Sequence, residues 1–180
     1  MNFVKKLDLF GVIKFSLNEY LDNRGSFIKL FYQPTLEELG IDFSTKECYV
    51  SNSKKGTIRG MHLQKNPNDI QKIVTCTKGS VIDVLLDLRP KSPTYLKHIS
   101  IELTEINRCA LYIPTGIAHG FQSLEENTEM LYLTDGIQNK ECEIGIKWDS
   151  FDFIWPNELS QISDRDKNLP TLQKYIETFI

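Results

Sequence analysis

The chain has 180 residues, 41% hydrophobic and 25% charged, with a formal net charge of −3. That size and balance suit one globular domain over residues 1–180 and exclude a disordered chain. The slight negative charge gives no general pull toward nucleic acid, and no apolar run approaches the ~18 residues of a membrane span, so neither partner is expected.

Cys48, Cys76, Cys109 and Cys142 are scattered without a CxxC spacing. This argues against a zinc knuckle or redox pair, while two disulfides remain conceivable. Nothing in residues 1–6 reads as a secretory leader, and a reducing, cytoplasmic setting is the expectation.

In chain order, residues 10–15 read as a strand, 21–25 as a turn and 26–31 as a second strand. Thr35 with Glu38 three residues later predicts a capping box, and Gly40 a stop, for one short helix. Short β runs follow at 47–50, 57–62, 72–77, 81–88, 96–102, 110–113, 120–123 and 129–133. Lys78-Gly79-Ser80 predicts a hairpin turn, and Pro90 to Pro93 another. Trp155-Pro156 and residues 157–168 read as an irregular loop. Beyond Pro170, the apolar residues Leu172, Tyr175, Ile176 and Phe179 predict an amphipathic helix over about 170–180, covering an open face of a sheet. Strands this short and closely spaced predict an all-β sandwich or barrel.

Arg59-Gly60-Met61-His62-Leu63-Gln64 places a guanidinium, a flexible glycine and an imidazole within four residues. Strand alternation puts His62 and Gln64 on one face and Met61 and Leu63 on the other. Gly60 permits a bend or a close approach. The stretch suits the inner wall of a barrel carrying a site, and also a structural histidine beside a surface arginine. His119 ends Pro114-Thr115-Gly116-Ile117-Ala118-His119, a turn before the next strand, which suits a ligand-carrying loop or a structural turn. His98 alternates with apolar neighbours and reads as surface or cross-strand.

Gly60-x-His62 and Pro114-x-Gly116-x-x-His119 resemble the two motifs of the cupin superfamily, a double-stranded jelly roll. Metal-binding cupins carry His-x-His and then a glutamate; here Gln64 takes the second position and no glutamate follows at 66–68. Two imidazoles alone make a poor divalent site, so no metal is expected.

An ordered set of stretches resembles the nucleotide-4-keto-6-deoxysugar epimerases typified by dTDP-4-dehydrorhamnose 3,5-epimerase. It includes Asp22-x-Arg24-Gly25-x-Phe27, Ser51-x-Ser53, Arg59-Gly60-Met61-His62-x-Gln64 and Lys72. It continues through Asp83, Asp87-Leu88-Arg89, Ser92-Pro93-Thr94, the His119 turn, Tyr132, Trp155-Pro156 and Ser163-x-x-Asp166. The resemblance implies a cupin jelly roll with short peripheral helices that inverts C3 and C5 of the sugar, without a cofactor, for surface polysaccharide. It implies a homodimer with N-terminal strands crossing between subunits.

The resemblance makes His62 the base, Asp166 its orienting carboxylate, Tyr132 the opposing acid and Lys72 the cation beside the C4 enolate. It gives the diphosphate to Arg59, His119 and Lys167, and further substrate contacts to Arg24, Phe27, Ser51, Gln64 and Gln138. On the residues alone, Tyr132 also reads as a core aromatic, Asp166 as part of a solvated charge run and Lys72 as a strand-edge surface lysine. Asp83 reads as a support for a site histidine or as facing solvent. The chain departs from the family at Gln138, where a second tyrosine is usual, at Lys29, where an acid is, and at Glu47 and Tyr49, where a Gln-x-Asn pair is. The nucleobase is thereby open between thymine and guanine, and the sugar between hexose and heptose. A C3-only epimerase, a ketoisomerase and a non-catalytic sugar-binding cupin are the competing readings.

Overall fold

Alternating side chains build thirteen strands over residues 3–179, the part of the chain that the computed structural model describes. They are β1 (Phe3–Lys6), β2 (Ile13–Ser16), β3 (Glu19–Asp22), β4 (Gly25–Ile28), β5 (Glu47–Ser53) and β6 (Ile58–Gln64). There follow β7 (Lys72–Lys78), β8 (Ser80–Asp87), β9 (His98–Thr104), β10 (Cys109–Ile113), β11 (Ile117–Ser123), β12 (Thr128–Thr134) and β13 (Glu143–Gly145). Six of them form one antiparallel sheet, in the order β1-β2-β10-β7-β12-β5, and five form another, β13-β6-β11-β8-β9. The β3–β4 hairpin stands apart.

Parity explains how the layers close. Along β12, Met130 and Tyr132 point into the space between the sheets, while Leu133 points outward. Along β10, Leu111 and Ile113 face inward, and Ala110 and Tyr112 outward. Each sheet is therefore apolar on both faces, and each outer face needs a cover. Helix α1 (Gln33–Glu38) places Leu36 on the six-stranded sheet beside Phe15, Phe43 and Ile73. Helix α3 (Leu172–Phe179) places Tyr175 and Leu172 on the five-stranded sheet beside Met61, Val84 and Ile146. The all-β barrel and its C-terminal cover match the expectation; Ile180, which the expected helix included, lies outside the described residues, as do Met1 and Asn2.

Several local readings are corrected. Phe10 and Gly11 form a turn, with Gly11 at φ +83°, so the strand expected at 10–15 starts at Ile13. Tyr32 caps α1 without a side-chain bond and Pro34 opens its first turn; Thr35 is buried inside the helix rather than capping it. Lys78-Gly79-Ser80 is a tight connection between the two sheets and not a hairpin, because β7 pairs with β10 and β12 whereas β8 pairs with β11 and β9. The stretch read as a loop at 157–168 contains a short helix, α2 (Asp164–Lys167). All four cysteines are free. No helix among the described residues is long and apolar enough to cross a membrane. His98 lies edge-on to Phe151 and Phe153, at 5.7 and 5.8 Å, on the covered side of the five-stranded sheet.

Two motifs are absorbed by the fold. Buried Asp87 accepts hydrogen bonds from Arg89, from Ser92 Oγ at 2.5 Å and from Thr94 Oγ1 at 2.7 Å, and so sets the turn between β8 and β9. Gly60 and Gly120 cross where β6 and β11 slip register; a Cβ on Gly60 would meet Gly120 Cα at 2.6 Å. Gly60 also has φ +118°, a conformation other residues rarely adopt.

Candidate active site

Inward parity on facing strands gathers polar side chains that an apolar barrel would exclude. His62 on β6, Lys72 on β7, His119 on β11 and Tyr132 on β12 meet in a cavity of about 660 Å³. Arg59, Ser51, Gln64, Gln138 and Asp166 also line it. Arg24, Phe27 and Lys167 do not: the first two sit on the exposed β3–β4 hairpin, with Arg24 bound to Asp22, and Lys167 bonds Asp164 at 3.1 Å.

Asp166 reaches the cavity because α2 is capped. Ser163 is the N-cap, and its hydroxyl accepts the Asp166 N–H at 3.1 Å. That turn buries a carboxylate that would otherwise belong to a solvated charge run. Asp166 Oδ1 lies 2.7 Å from His62 Nε2, and Oδ2 accepts the Gly60 N–H at 3.0 Å. Burial pushes the Asp166 carboxyl up, but bonds and charge from His62, the Gly60 amide and Arg165 outweigh it and hold the group well below the usual carboxylate range. Burial also lowers the His62 imidazole; Asp166 works against this, and the nearby Arg165 and Lys72 charges add to the depression.

A second pair lies deeper. His119 Nε2 is 2.7 Å from Asp83 Oδ2, and both side chains are buried. Asp83 faces this histidine and not solvent, and burial raises its carboxyl above the ordinary range. Its Oδ1 has no hydrogen-bond partner among the described residues.

Lys72 is no surface lysine. Its Nζ donates to the His62 carbonyl at 3.4 Å, and burial draws its pKa down to about 8, with Glu143 and Asp83 opposing that fall. Tyr132 stacks on Tyr49, centroids 4.9 Å apart at 14°, and meets the His119 ring edge-on at 6.1 Å. Burial raises its phenol far above the ordinary value, so it keeps its proton. The Ser51 hydroxyl beside it is buried without a partner among the described residues. Arg59 is anchored to Ser53 Oγ at 3.0 Å and to the Asn52 carbonyl at 2.9 Å, which holds its guanidinium at the exposed mouth.

Two expected contacts are engaged elsewhere. The Gln64 amide donates to the Asn68 carbonyl and accepts the Asn139 N–H, both at 2.6 Å, so it ties two loops together. Gln138 bridges Glu47 and Glu143 at 3.2 Å each. Arg165 and Glu143 were given no role from sequence, yet both line the cavity. Arg165 contacts His62, Asp166 and Glu143 at once. No spacing in the sequence joins Arg165 to β6 or β13; only the α2 turn does. Among the described residues no three His, Cys, Asp or Glu side chains come together as a metal set.

A family model described as dTDP-4-dehydrorhamnose 3,5-epimerase matches residues 6–174. The chain belongs to that family. It is accordingly an epimerase, an isomerase acting on carbohydrates. A Shigella flexneri dTDP-4-dehydrorhamnose 3,5-epimerase is 36% identical over 168 residues, covering 92% of this chain and 93% of that one. A crystal structure of the Bacillus anthracis dTDP-4-dehydrorhamnose 3,5-epimerase, with TDP and PPi bound, superposes with TM-score 0.89 at 34% identity, over 94% of this chain and 98% of that one. A Legionella pneumophila dTDP-6-deoxy-D-glucose-3,5-epimerase, in complex with dTDP-4-keto-L-rhamnose, gives TM-score 0.90 at 29% identity, over 94% and 92%. The shared fold over 94% of the chain accords with the all-β class expected from sequence.

Proposed function

We propose that the chain inverts C3 and C5 of a nucleotide-diphospho-4-keto-6-deoxy sugar in the cytoplasm, supplying deoxysugar units for surface polysaccharide. The observation that carries this is the His62–Asp166 pair, 2.7 Å apart and facing the same cavity as Tyr132 and Lys72. A C4 ketone acidifies the hydrogens on C3 and C5, so the substrate supplies its own electron sink and no cofactor is needed. His62 takes the proton, and the electron pair of the C–H bond moves onto the C4 oxygen as an enolate. The Lys72 ammonium stabilises that negative charge. Tyr132 returns a proton from the opposite face, and the carbon inverts. Asp166 stabilises the imidazolium formed on the way. A binding protein would need neither base nor acid.

Arg59 at the mouth suits the diphosphate, since a planar guanidinium matches phosphate oxygens. His119, held by Asp83 on the cavity floor, lies beneath the sugar instead of at the mouth. The β3–β4 hairpin, with Tyr20, Leu21 and Phe27 exposed, reaches a second copy and brings Arg24 and Phe27 to the partner's nucleotide. One observation favours C3-only epimerisation as a second reading: Gln138, bound to Glu47 and Glu143, stands where the family usually has a tyrosine.

The test is deuterium uptake from solvent, followed by NMR, into 4-keto sugars linked to thymidine or guanosine diphosphate. Uptake at C3 and C5 that vanishes in His62→Ala is expected. Uptake at C3 alone replaces the reading by a C3-epimerase or isomerase, and no uptake in any substrate defeats it. The preferred nucleotide and chain length identify the base and the sugar.

A further inference from the structure

We infer that Arg165 is a positioning residue for the base: its guanidinium lies over one face of the His62 ring, fixes the ring against Asp166 and opposes positive charge on it. The inference rests on His62 being the base and goes beyond that assignment.

The two neighbours of the ring approach it from different directions. Asp166 Oδ1 lies 2.7 Å from His62 Nε2, at the ring edge, where a carboxylate accepts the Nε2 proton. Arg165 Nη2 lies 2.6 Å from Nε2 and 3.4 Å from Nδ1. Those distances set Nη2 at about a right angle to the line joining the ring nitrogens, so it stands over the ring face. Carboxylate and guanidinium therefore hold the imidazole together, one at its edge and one on its face. Arginine suits that place, because its planar fork stacks on ring faces. With the ring proton on Nε2, the in-plane lone pair of Nδ1 is left to take a proton from carbon.

Arg165 is itself anchored. Its Nε donates to Asp166 Oδ1 at 3.1 Å, and its Nη1 lies 2.7 Å from Glu143 Oε1. Adjacent residues of one helical turn thus act on the imidazole in opposite senses. Asp166 favours the imidazolium, whereas a cation on the ring face disfavours it and keeps the ring ready to accept a proton. The other charged or titratable groups around His62 are Lys72 from β7, Glu143 from β13, His119 from β11, Tyr132 from β12 and Lys140 from the loop before β13. Lys72 bonds the His62 carbonyl and not its ring. Among the described residues, only Asp166 and Arg165 touch the ring nitrogens.

The test is an NMR titration of the His62 ring in the unliganded protein, assigned by loss of its signal in His62→Asn. In Arg165→Met the titration is expected ~1 pH unit above wild type, the lower end of what a neighbouring charge does, since Arg165 is half exposed. Arg165→Gln, which keeps a donor for Asp166, is expected to give the same shift. Lys167→Gln removes a charge from the same helix away from the ring and is expected to leave the titration in place. In Arg165→Met the acid limb of kcat/KM is expected to move up with the titration, while KM on the plateau holds. Wild type is expected to show nuclear Overhauser contacts between the Arg165 side chain and the His62 ring hydrogens, a readout that needs no variant to fold. Their absence overturns the inference, as does an unmoved titration in a folded Arg165 variant or an equal shift in Lys167→Gln. A raised KM with the titration in place makes Arg165 a substrate contact and overturns it too. Because the titration uses no sugar, it holds or fails separately from deuterium uptake, which judges the epimerase reading.

Discussion

Asp166 and His62 stand 104 residues apart in the chain with their polar atoms 2.7 Å apart, and the other oxygen of Asp166 holds the Gly60 amide two residues before that histidine. One carboxylate therefore orients the imidazole and secures the strand that carries it. Asp166→Asn keeps an acceptor for Gly60 and removes the charge that stabilises an imidazolium. Deuterium uptake is expected to fall by ~10²–10⁴-fold, the usual contribution of general-base catalysis. Tm should drop only modestly; full-rate uptake in this variant would remove Asp166 from the mechanism.

The same carboxylate governs acid stability. Its folded pKa lies below its unfolded value, so the stability it contributes is present above ~4, the unfolded value, and is lost as pH falls through the folded one. His62 acts in the same direction over a higher range: its folded pKa is depressed, so below ~6.5 the unfolded chain binds the proton first and stability declines. Thermal melts of Asp166→Asn should show a shallower acid fall than wild type only below about pH 4. Between about 6.5 and 4 the fall should be steeper, because the variant loses the carboxylate that opposes the depression of His62. An unchanged slope would contradict the linkage.

In the proposed mechanism Lys72 sets the alkaline limit. Burial brings its pKa to about 8, so its ammonium is lost as pH rises through about 8 and the enolate loses its cation. The kcat/KM profile is expected to fall with a midpoint near that value. Lys72→Met should lower activity by ~10²–10³-fold, the loss seen when one charge-stabilising group is removed, and should abolish the alkaline limb. A wild-type profile flat to pH 10 would exclude this role.

Tyr132 and His62 should separate by experiment. In Tyr132→Phe the base remains, so solvent deuterium should still enter while inversion falls by ~10²–10⁴-fold, the contribution of a positioned acid. Product stereochemistry against uptake measures the split. Equal loss of both would make Tyr132 a packing residue stacked between Tyr49 and His119.

Gly60→Ala tests the crossing of β6 and β11. The new Cβ would lie 2.6 Å from Gly120 Cα and 2.7 Å from the His119 carbonyl, at φ +118°. Neither backbone can yield without shifting both histidine strands. A loss of ~2 kcal/mol or more is expected, from strain at a positive φ together with overpacking, read as a lower midpoint in urea. Unchanged stability would mean that the crossing is loose.

Elements whose signal is local were legible in the residues alone. Short alternating runs mark the strands, and Leu172, Tyr175, Ile176 and Phe179 mark the C-terminal helix, because burial on one face imposes a period. The ordered motifs carried the family, and with it His62, Tyr132, Lys72 and Asp166. The pairing of distant segments emerges only in the folded barrel. The Lys78-Gly79-Ser80 turn has the same local chemistry whether its strands pair or part, and only the competition among β10, β11 and β12 for partners separates them. Asp166 lies in a run that is polar on every side; the Ser163 cap and the Gly60 amide bury it, and neither contact has a period to read. Arg165, Glu143 and the loop-tying Gln64 depend likewise on hydrogen bonds between residues far apart in the chain, whose geometry exists only once the barrel has closed.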